Sequence, residues 1–238
     1  RNAVSLDMWE AAAEILTDFL NDDAIRVIVL TGAGGKAFVS GADISKFEDV
    51  RANAEMEARY HETLETARGI LNNAAKPTIA MIRGYCIGGG CGLALCCDIR
   101  IASETAQFGV PAAKLGLGYG HEHVRRLVEI VGPSAAKEIF YTARRFSADE
   151  AKAMRLANRV VPDAELESYV ADYATRIAEN APLTVGSIKT IVGELLKDPS
   201  GRDLDLCERV YQACFDSEDY IEGRTAFMEK RKPAFKGR

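Results

Sequence analysis

The sequence predicts an α/β fold, in which strands and crossover helices build a core and helices follow. Residues 25–30 and 77–82 are short runs rich in Val and Ile, as is typical of buried parallel strands. Between them, residues 52–71 form a long, mostly polar helix candidate, which makes the three segments a βαβ unit. From about residue 133 onward strand patterns become scarce and helical patterns dominate.

The remaining elements follow from periodicity and turn signals. Residues 5–20 repeat apolar side chains at helical spacing until Asn-Asp-Asp stops the pattern. After the second strand, we predict a glycine turn, an apolar helix and a strand, over residues 84–90, 91–96 and 98–102. Later helices are predicted at residues 134–141, 147–154, 164–178, 183–196 and 204–227, the second of them with a capping box from Ser147 and Glu150. We therefore divide the chain into a core, residues 1–130, and a helical region, residues 131–238.

Composition and charge exclude several classes of protein. With 47% hydrophobic and 27% charged residues among 238, the chain is typical of a globular protein. The formal net charge of −5 supplies no global cationic field, so we expect no nucleic-acid and no membrane partner. No apolar run approaches the roughly 18 residues of a membrane span. Because the sequence begins at Arg1 without Met, we expect a trimmed start, where a targeting segment would not be visible.

The six cysteines indicate a reducing environment. Cys86, Cys91, Cys96 and Cys97 lie in one apolar, glycine-rich stretch without a CxxC pair, which argues against a zinc site and against a redox dithiol. We expect buried, reduced thiols, no metal, and a location in the cytoplasm or another reducing compartment.

Three glycine-rich segments are candidates for a binding site. Residues 31–36 place Lys36 after glycines, but Ala37 follows where a phosphate-binding loop needs Ser or Thr. Residues 38–44 and 88–90 each place glycine next to the start of a helix, where backbone N–H groups lack partners. Donors from both segments, aimed at one carbonyl oxygen, would form an oxyanion hole. The alternative is that each glycine run only makes a tight turn.

Five motifs in this order carry a family resemblance: Ala-Phe-Val-Ser-Gly-Ala-Asp-Ile at 37–44, Lys-Pro-Thr-Ile-Ala at 76–80, Gly-Tyr-Cys-Ile-Gly-Gly-Gly-Cys at 84–91, Cys-Asp-Ile-Arg-Ile-Ala at 97–102 and Gln-Phe-Gly-Val-Pro at 107–111. Together they resemble the enoyl-CoA hydratase/isomerase (crotonase) family, over essentially the whole chain. The resemblance implies a spiral of ββα units with a helical trimerisation region, and assembly as a homotrimer or a dimer of trimers. It implies an acyl-CoA substrate and no separate cofactor, since coenzyme A is part of the thioester.

The resemblance also implies roles for individual residues. Ala42 and Gly89 match the two backbone N–H donors of the family's oxyanion hole, which agrees with the independent interpretation of their loops. Contacts to the CoA moiety are implied for Lys36, Asp43, Ile44, Phe235 and Lys236. We expect Asp43, like Asp98, to hold a loop through side-chain to backbone hydrogen bonds.

Hydratases of this family use two glutamates, and the sequence departs from the family at both positions. Gly92 and Ala112 stand there, and neither side chain can accept a proton. Tyr119, His121 and Glu122 lie in the loop that the family places beside the acyl carbons, and they are the candidate acid/base groups. The alternative is that this loop begins a helix whose first-turn histidines and glutamate are solvated.

Three functions therefore compete. The first is an acyl-CoA lyase or isomerase, nearest to enoyl-CoA hydratase, that stabilises a thioester enolate with atypical acid/base residues. The second is a decarboxylase of malonyl-type thioesters, because loss of CO2 itself yields the enolate and Tyr119 matches a tyrosine of family decarboxylases. The third is a catalytically silent acyl-CoA-binding protein.

Overall fold

The computed structural model describes residues 2–41 and 54–238, and these contain two four-stranded sheets. The first sheet is parallel throughout and orders its strands β1, β3, β5, β8. The second orders its strands β2, β4, β6, β7 and is parallel except for the last pair. The strands are β1 (Ile28–Thr31), β2 (Ala37–Val39), β3 (Thr78–Ile82), β4 (Tyr85–Ile87), β5 (Ile99–Ser103), β6 (Gln107–Gly109), β7 (Phe146–Ser147) and β8 (Arg159–Val161).

Successive strands alternate between the two sheets. β1, β3 and β5 enter the first sheet, and each is followed by a short strand that enters the second. A helix then returns the chain to the first sheet, which is the repeated ββα unit that the resemblance implies. The predicted α/β fold class and the predicted βαβ unit are therefore confirmed, with Ile28 of β1 paired to Thr78 of β3.

Nine α-helices and three short 3₁₀ turns complete the described part of the chain. The helices are α1 (Leu6–Asn21), α2 (Ala54–Asn72), α3 (Gly89–Leu95), α4 (His121–Thr142), α5 (Ala148–Ala153), α6 (Leu166–Ala178), α7 (Pro182–Leu195), α8 (Leu204–Phe215) and α9 (Glu218–Glu229). The 3₁₀ turns are Pro111–Leu115, Asp163–Glu165 and Pro199–Gly201. Among the described residues, no helix is long and apolar enough to cross a membrane.

Three predicted boundaries differ from the structure. The helix expected at residues 134–141 begins at His121, and Gly132 (φ 79°, ψ 165°) kinks it just before Pro133. The helix expected at 204–227 is two helices, because the Ser217 hydroxyl accepts a hydrogen bond from Tyr220 N–H and starts a new one. The segment 84–90, expected as a turn alone, contains β4.

The region after residue 130 also contributes to both sheets. β7 adds to β6, and β8 adds to β5. The predicted capping box forms at the start of α5: Ser147 Oγ accepts from Glu150 N–H at 3.2 Å, and Glu150 accepts from Ser147 N–H at 2.8 Å. A boundary at residue 130 therefore does not separate the sheets from the helices.

Buried polar and sulfur-bearing residues hold the core around the site. The four clustered cysteines are buried, and all six thiols are free. The Asp98 carboxylate accepts hydrogen bonds from the Thr78 backbone N–H at 2.8 Å and hydroxyl at 2.9 Å, and from Lys189 Nζ at 2.8 Å. As predicted, Asp98 holds neighbouring segments together.

Candidate active site

The ends of β2 and β4 bring the two glycine segments side by side. Val39 of β2 aligns with Cys86 of β4. A methyl group placed on Gly90 would lie 2.3 Å from the Val39 carbonyl oxygen, so only glycine permits this approach. A methyl group placed on Gly41, just beyond β2, would lie 3.6 Å from the Ile87 carbonyl oxygen. The end of β2 and Gly41 therefore lie beside the segment that leads into α3. Ala42, Asp43 and Ile44 themselves lie outside the described residues.

Gly89 presents a backbone N–H at the first position of α3. The preceding Gly88 has φ 55°, a conformation that favours glycine, and its N–H donates to the Gly109 carbonyl at 2.8 Å. Gly92 N–H donates to the Gly88 carbonyl at 3.2 Å. Helix geometry supplies no acceptor for the N–H of the first residue, so this donor can serve a ligand.

The space beside Gly92, where family hydratases carry a glutamate, holds the guanidinium of Arg68. α2 packs inward through Leu64, Ala67 and Leu71, and Arg68 lies on the edge of that face with its side chain only 8% exposed. A methyl group on Gly92 would lie 2.5 Å from Arg68 Nη2 and 3.2 Å from Cζ. Any side chain at position 92 therefore competes with Arg68 for the same space.

Contacts on both sides hold the Arg68 guanidinium in place. Nη2 donates to the Gly89 carbonyl at 3.3 Å, and Cζ lies 5.7 Å from the centre of the Trp9 ring. Nη1 donates to His123 Nε2 and lies 3.6 Å from Glu65 Oε1. Nε is buried without an acceptor among the described residues. Nη1 therefore has two partners, whereas the edge formed by Nε and Nη2 has a single, long hydrogen bond.

His123 is a neutral partner in this cluster. Burial lowers the pKa of His123, the nearby positive charge of Arg68 lowers the pKa further, and Glu65 opposes both effects. Because the guanidinium can only donate, His123 Nε2 must accept and the proton belongs on Nδ1. The imidazole therefore adds no positive charge near neutral pH and does not compensate that of Arg68.

Tyr119, one of the predicted acid/base candidates, packs against this cluster. Its ring meets the His123 ring edge-on at 6.0 Å between centroids and the Phe140 ring at 5.0 Å. Burial raises the pKa of Tyr119, so the phenol remains protonated near neutral pH. A protonated phenol can donate a proton or a hydrogen bond, whereas it cannot act as a base.

His121 and Glu122 occupy the solvated first turn of α4. The His121 side chain is 89% exposed and lies 3.0 Å from Glu122, whose other oxygen pairs with Arg125 at 2.9 Å. Hydrogen bonding to Arg125 lowers the pKa of Glu122 and keeps it ionised. The structure therefore does not bring these two candidates to the Arg68 cluster, in keeping with the alternative interpretation of the loop.

The second position at which family hydratases carry glutamate is also filled by an apolar residue. Ala112 is 5% exposed and lies in the 3₁₀ turn after β6. Neither this position nor that of Gly92 presents a carboxylate.

The residues proposed to contact CoA lie in two places. Lys36 is exposed at the start of β2, where its carbonyl abuts Gly84. Phe235 and Lys236 belong to a C-terminal tail that the buried Asp219 carboxylate holds through Lys236 N–H at 2.7 Å and Gly237 N–H at 2.8 Å. The tail borders a cavity of about 540 Å³, whose cationic lining residues are Arg26, Lys76, Lys236 and Arg238.

Sequence reasoning missed Arg68 and Glu65, and it grouped His123 with the solvated residues. α2 has a polar pattern in which no single arginine stands out. The one available signal was Gly92, since a missing side chain leaves space that another segment must fill.

Two interleaved sheets of ββα units, with the start of α3 packed beside the end of β2, define the fold. Comparison with known proteins identifies the class. The sequence matches the enoyl-CoA hydratase/isomerase family over residues 1–238, and the chain belongs to this family of acyl-CoA enzymes.

Individual relatives agree in length and fold. The chain is 37% identical over 235 residues to a crotonyl-CoA hydratase of Syntrophomonas wolfei, covering 98% of this chain and 89% of the relative. It is 36% identical over 246 residues to a short-chain-enoyl-CoA hydratase of Clostridium acetobutylicum, covering 100% and 90%. The crystal structure of an enoyl-CoA hydratase/carnithine racemase from Magnetospirillum magneticum superimposes with a TM-score of 0.94 at 40% identity, covering 99% and 88%.

Proposed function

We propose that this enzyme binds an acyl-CoA thioester and stabilises its enolate in an oxyanion hole formed by the N–H groups of Gly89 and Ala42. The proposal rests on the backbone N–H of Gly89, the first residue of α3. Gly88 N–H is committed to the Gly109 carbonyl, whereas Gly89 N–H has no helical acceptor and lies beside the end of β2. Two such donors, fixed before the reaction, stabilise the negative charge that develops on a thioester oxygen.

We propose Tyr119 as the acid in this site. Three observations support this role: Tyr119 is half-buried, its pKa is raised, and its ring packs against His123. Roles for His121 and Glu122 have less support, because both side chains face solvent.

Decarboxylation of a malonyl-type thioester is the second candidate function. A guanidinium fills the space beside Gly92 and a methyl group stands at Ala112, so the usual pair of carboxylates that activate water is absent. Loss of CO2 forms the enolate without a base, and this reaction needs the oxyanion hole alone.

Assembly into a homotrimer or a dimer of trimers remains our proposal for the helical region. Its support is a set of large apolar side chains exposed on the last three helices, among them Ile188, Tyr211, Ile221, Phe227 and Met228. Phe227 is 83% exposed. Analytical ultracentrifugation of Phe227→Glu should show smaller species than the wild type, and an unchanged sedimentation coefficient would contradict this use of α9.

Lys36, Phe235 and Lys236, with Asp43 and Ile44 outside the described residues, remain the proposed CoA contacts. The cationic residues around the tail cavity support binding of an anionic ligand there. Lys36 does not border that cavity, so its contact would be separate.

A pair of variants tests the oxyanion hole. Gly89→Pro removes the N–H at a helix position that accepts proline, and Gly89→Ala keeps it, with the new methyl 3.9 Å from Arg68 Nη2. Turnover is followed as loss of the conjugated absorbance of crotonyl-CoA and as CO2 release from malonyl-type CoA esters. Proline should lower kcat about 100- to 1,000-fold on whichever substrate the wild type turns over, and alanine should have little effect. Equal rates for the two variants, or no turnover of either substrate by the wild type, would contradict the proposal.

A further inference from the structure

Arg68 carries a positive charge that the described residues around it compensate only in part. Its side chain is 92% buried, being 8% exposed, yet its one anionic neighbour among the described residues is Glu65, 3.6 Å from Nη1 and 52% exposed. His123 accepts from the same Nη1 and is neutral near pH 7. A buried cation is stable only when it is paired and its donors are satisfied.

The two edges of the guanidinium differ. His123 and Glu65 both lie on Nη1. The edge formed by Nε and Nη2 has only the Gly89 carbonyl, 3.3 Å from Nη2, and Nε has no acceptor in the described part of the chain. Nε and Nη2 together form the fork to which a carboxylate binds through two parallel hydrogen bonds. The unsatisfied edge therefore matches an anionic group that the described residues do not supply.

This edge lies close to the proposed position of the thioester. The N and O atoms of one residue are at most about 4 Å apart, and Arg68 Nη2 is 3.3 Å from Gly89 O, so it lies within about 7.5 Å of the Gly89 N–H. A short acyl chain whose carbonyl oxygen accepts from Gly89 can therefore reach Arg68 with a second, terminal group. A malonyl or succinyl chain has the required length.

We infer that Arg68 binds a carboxylate on the acyl chain of the substrate, so that the enzyme acts on CoA thioesters of short dicarboxylic acids. This inference rests on the proposed function, because Gly89 fixes where the acyl chain begins. The absence of a side chain at Gly92 belongs to the same arrangement, since any larger residue would displace the guanidinium. Arg68 is thus a specificity-determining residue in the space that family hydratases give to a catalytic glutamate.

Calorimetric titration of the full chain with two matched ligands tests the inference. The probes are the amide analogue of malonyl-CoA, which resists loss of CO2, and the amide analogue of 3-methylbutanoyl-CoA, which has the same shape without the charge. The wild type should bind the malonyl analogue about ten- to a hundredfold more tightly. Arg68→Met should abolish this preference. Arg59→Gln, which removes an exposed charge from the same helix, should preserve it.

A second variant keeps the test decisive if Arg68→Met does not fold. Gly92→Ala retains the charge but displaces the guanidinium, and the preference should fall at least severalfold. Equal binding of the two analogues by the wild type would overturn the inference and leave acyl-CoA binding intact. So would a preference that survives both variants. If neither analogue binds, the proposed function itself is wrong.

Discussion

The contact between Gly92 and Arg68 predicts that one substitution will have opposite effects in two backgrounds. A methyl group at Gly92 would lie 2.5 Å from Arg68 Nη2, so Gly92→Ala must move the guanidinium. The movement breaks the hydrogen bond from Nη2 to the Gly89 carbonyl, and a hydrogen bond from a charged group is worth about 1.5–3 kcal/mol. Alanine in a helix gains about 1 kcal/mol over glycine. In the wild-type background, Gly92→Ala should therefore lower the free energy of unfolding by about 0.5–2 kcal/mol.

In an Arg68→Ala background the obstacle is gone. The same Gly92→Ala change should then raise the free energy of unfolding by about 0.5–1 kcal/mol, from helix propensity alone. The coupling energy of the double-mutant cycle should be about 1.5–3 kcal/mol, well above the 0.5 kcal/mol typical of independent sites.

The free energy of unfolding of all four proteins can be measured with urea by tryptophan fluorescence, because Trp9 is the single tryptophan and is only 2% exposed. The cost of Arg68→Ala itself cancels in the cycle. If Gly92→Ala has the same sign and size in both backgrounds, the guanidinium does not occupy the space beside Gly92 and the interpretation of the site is wrong.

Three further predictions concern single residues. The pKa of His123 is lowered from its usual 6.5, so the unfolded chain binds more protons than the folded chain as the pH drops below that value. The free energy of unfolding, measured with urea, should therefore fall as the pH drops below about 6.5. His123→Asn should make this pH dependence less steep. Ser147→Ala removes the cap of α5, and calorimetry should show a loss of about 1 kcal/mol, or about 2–4 °C in Tm; no change would mean that Glu150 alone holds the turn. Asp219→Ala frees the tail N–H groups, including that of Lys236, and trypsin should remove the tail faster than in the Asp172→Asn control.

Periodicity and turn chemistry predicted most of the core. α1, α3, β1, β3 and β5 lie within a few residues of their expected positions, because each combines a clear apolar pattern with a nearby stop signal. The three-residue strands β4 and β6 were not predicted, since such short segments gain their structure from pairing with distant strands and not from local propensity.

The candidate site, like the core, was predicted from the sequence only in part. The glycine segments that position Gly89 were readable from the sequence, because glycine marks backbone conformations that other residues avoid. The guanidinium of Arg68 was not, since its role depends on tertiary packing of α2 against α3. The sequence allowed two interpretations of the start of α4, an acid/base loop and a solvated helical turn. The exposure of His121 favours the second interpretation. Only the fold distinguishes His123, which faces Arg68, from His121, two residues earlier.

A crystal structure with a bound acyl-CoA analogue tests the central claim, that the Gly89 N–H holds the thioester oxygen. The account predicts that this oxygen lies about 2.7–3.1 Å from Gly89 N, with the acyl chain directed toward Arg68. An analogue whose thioester oxygen is held by other groups, with Gly89 N–H directed at water, would contradict it.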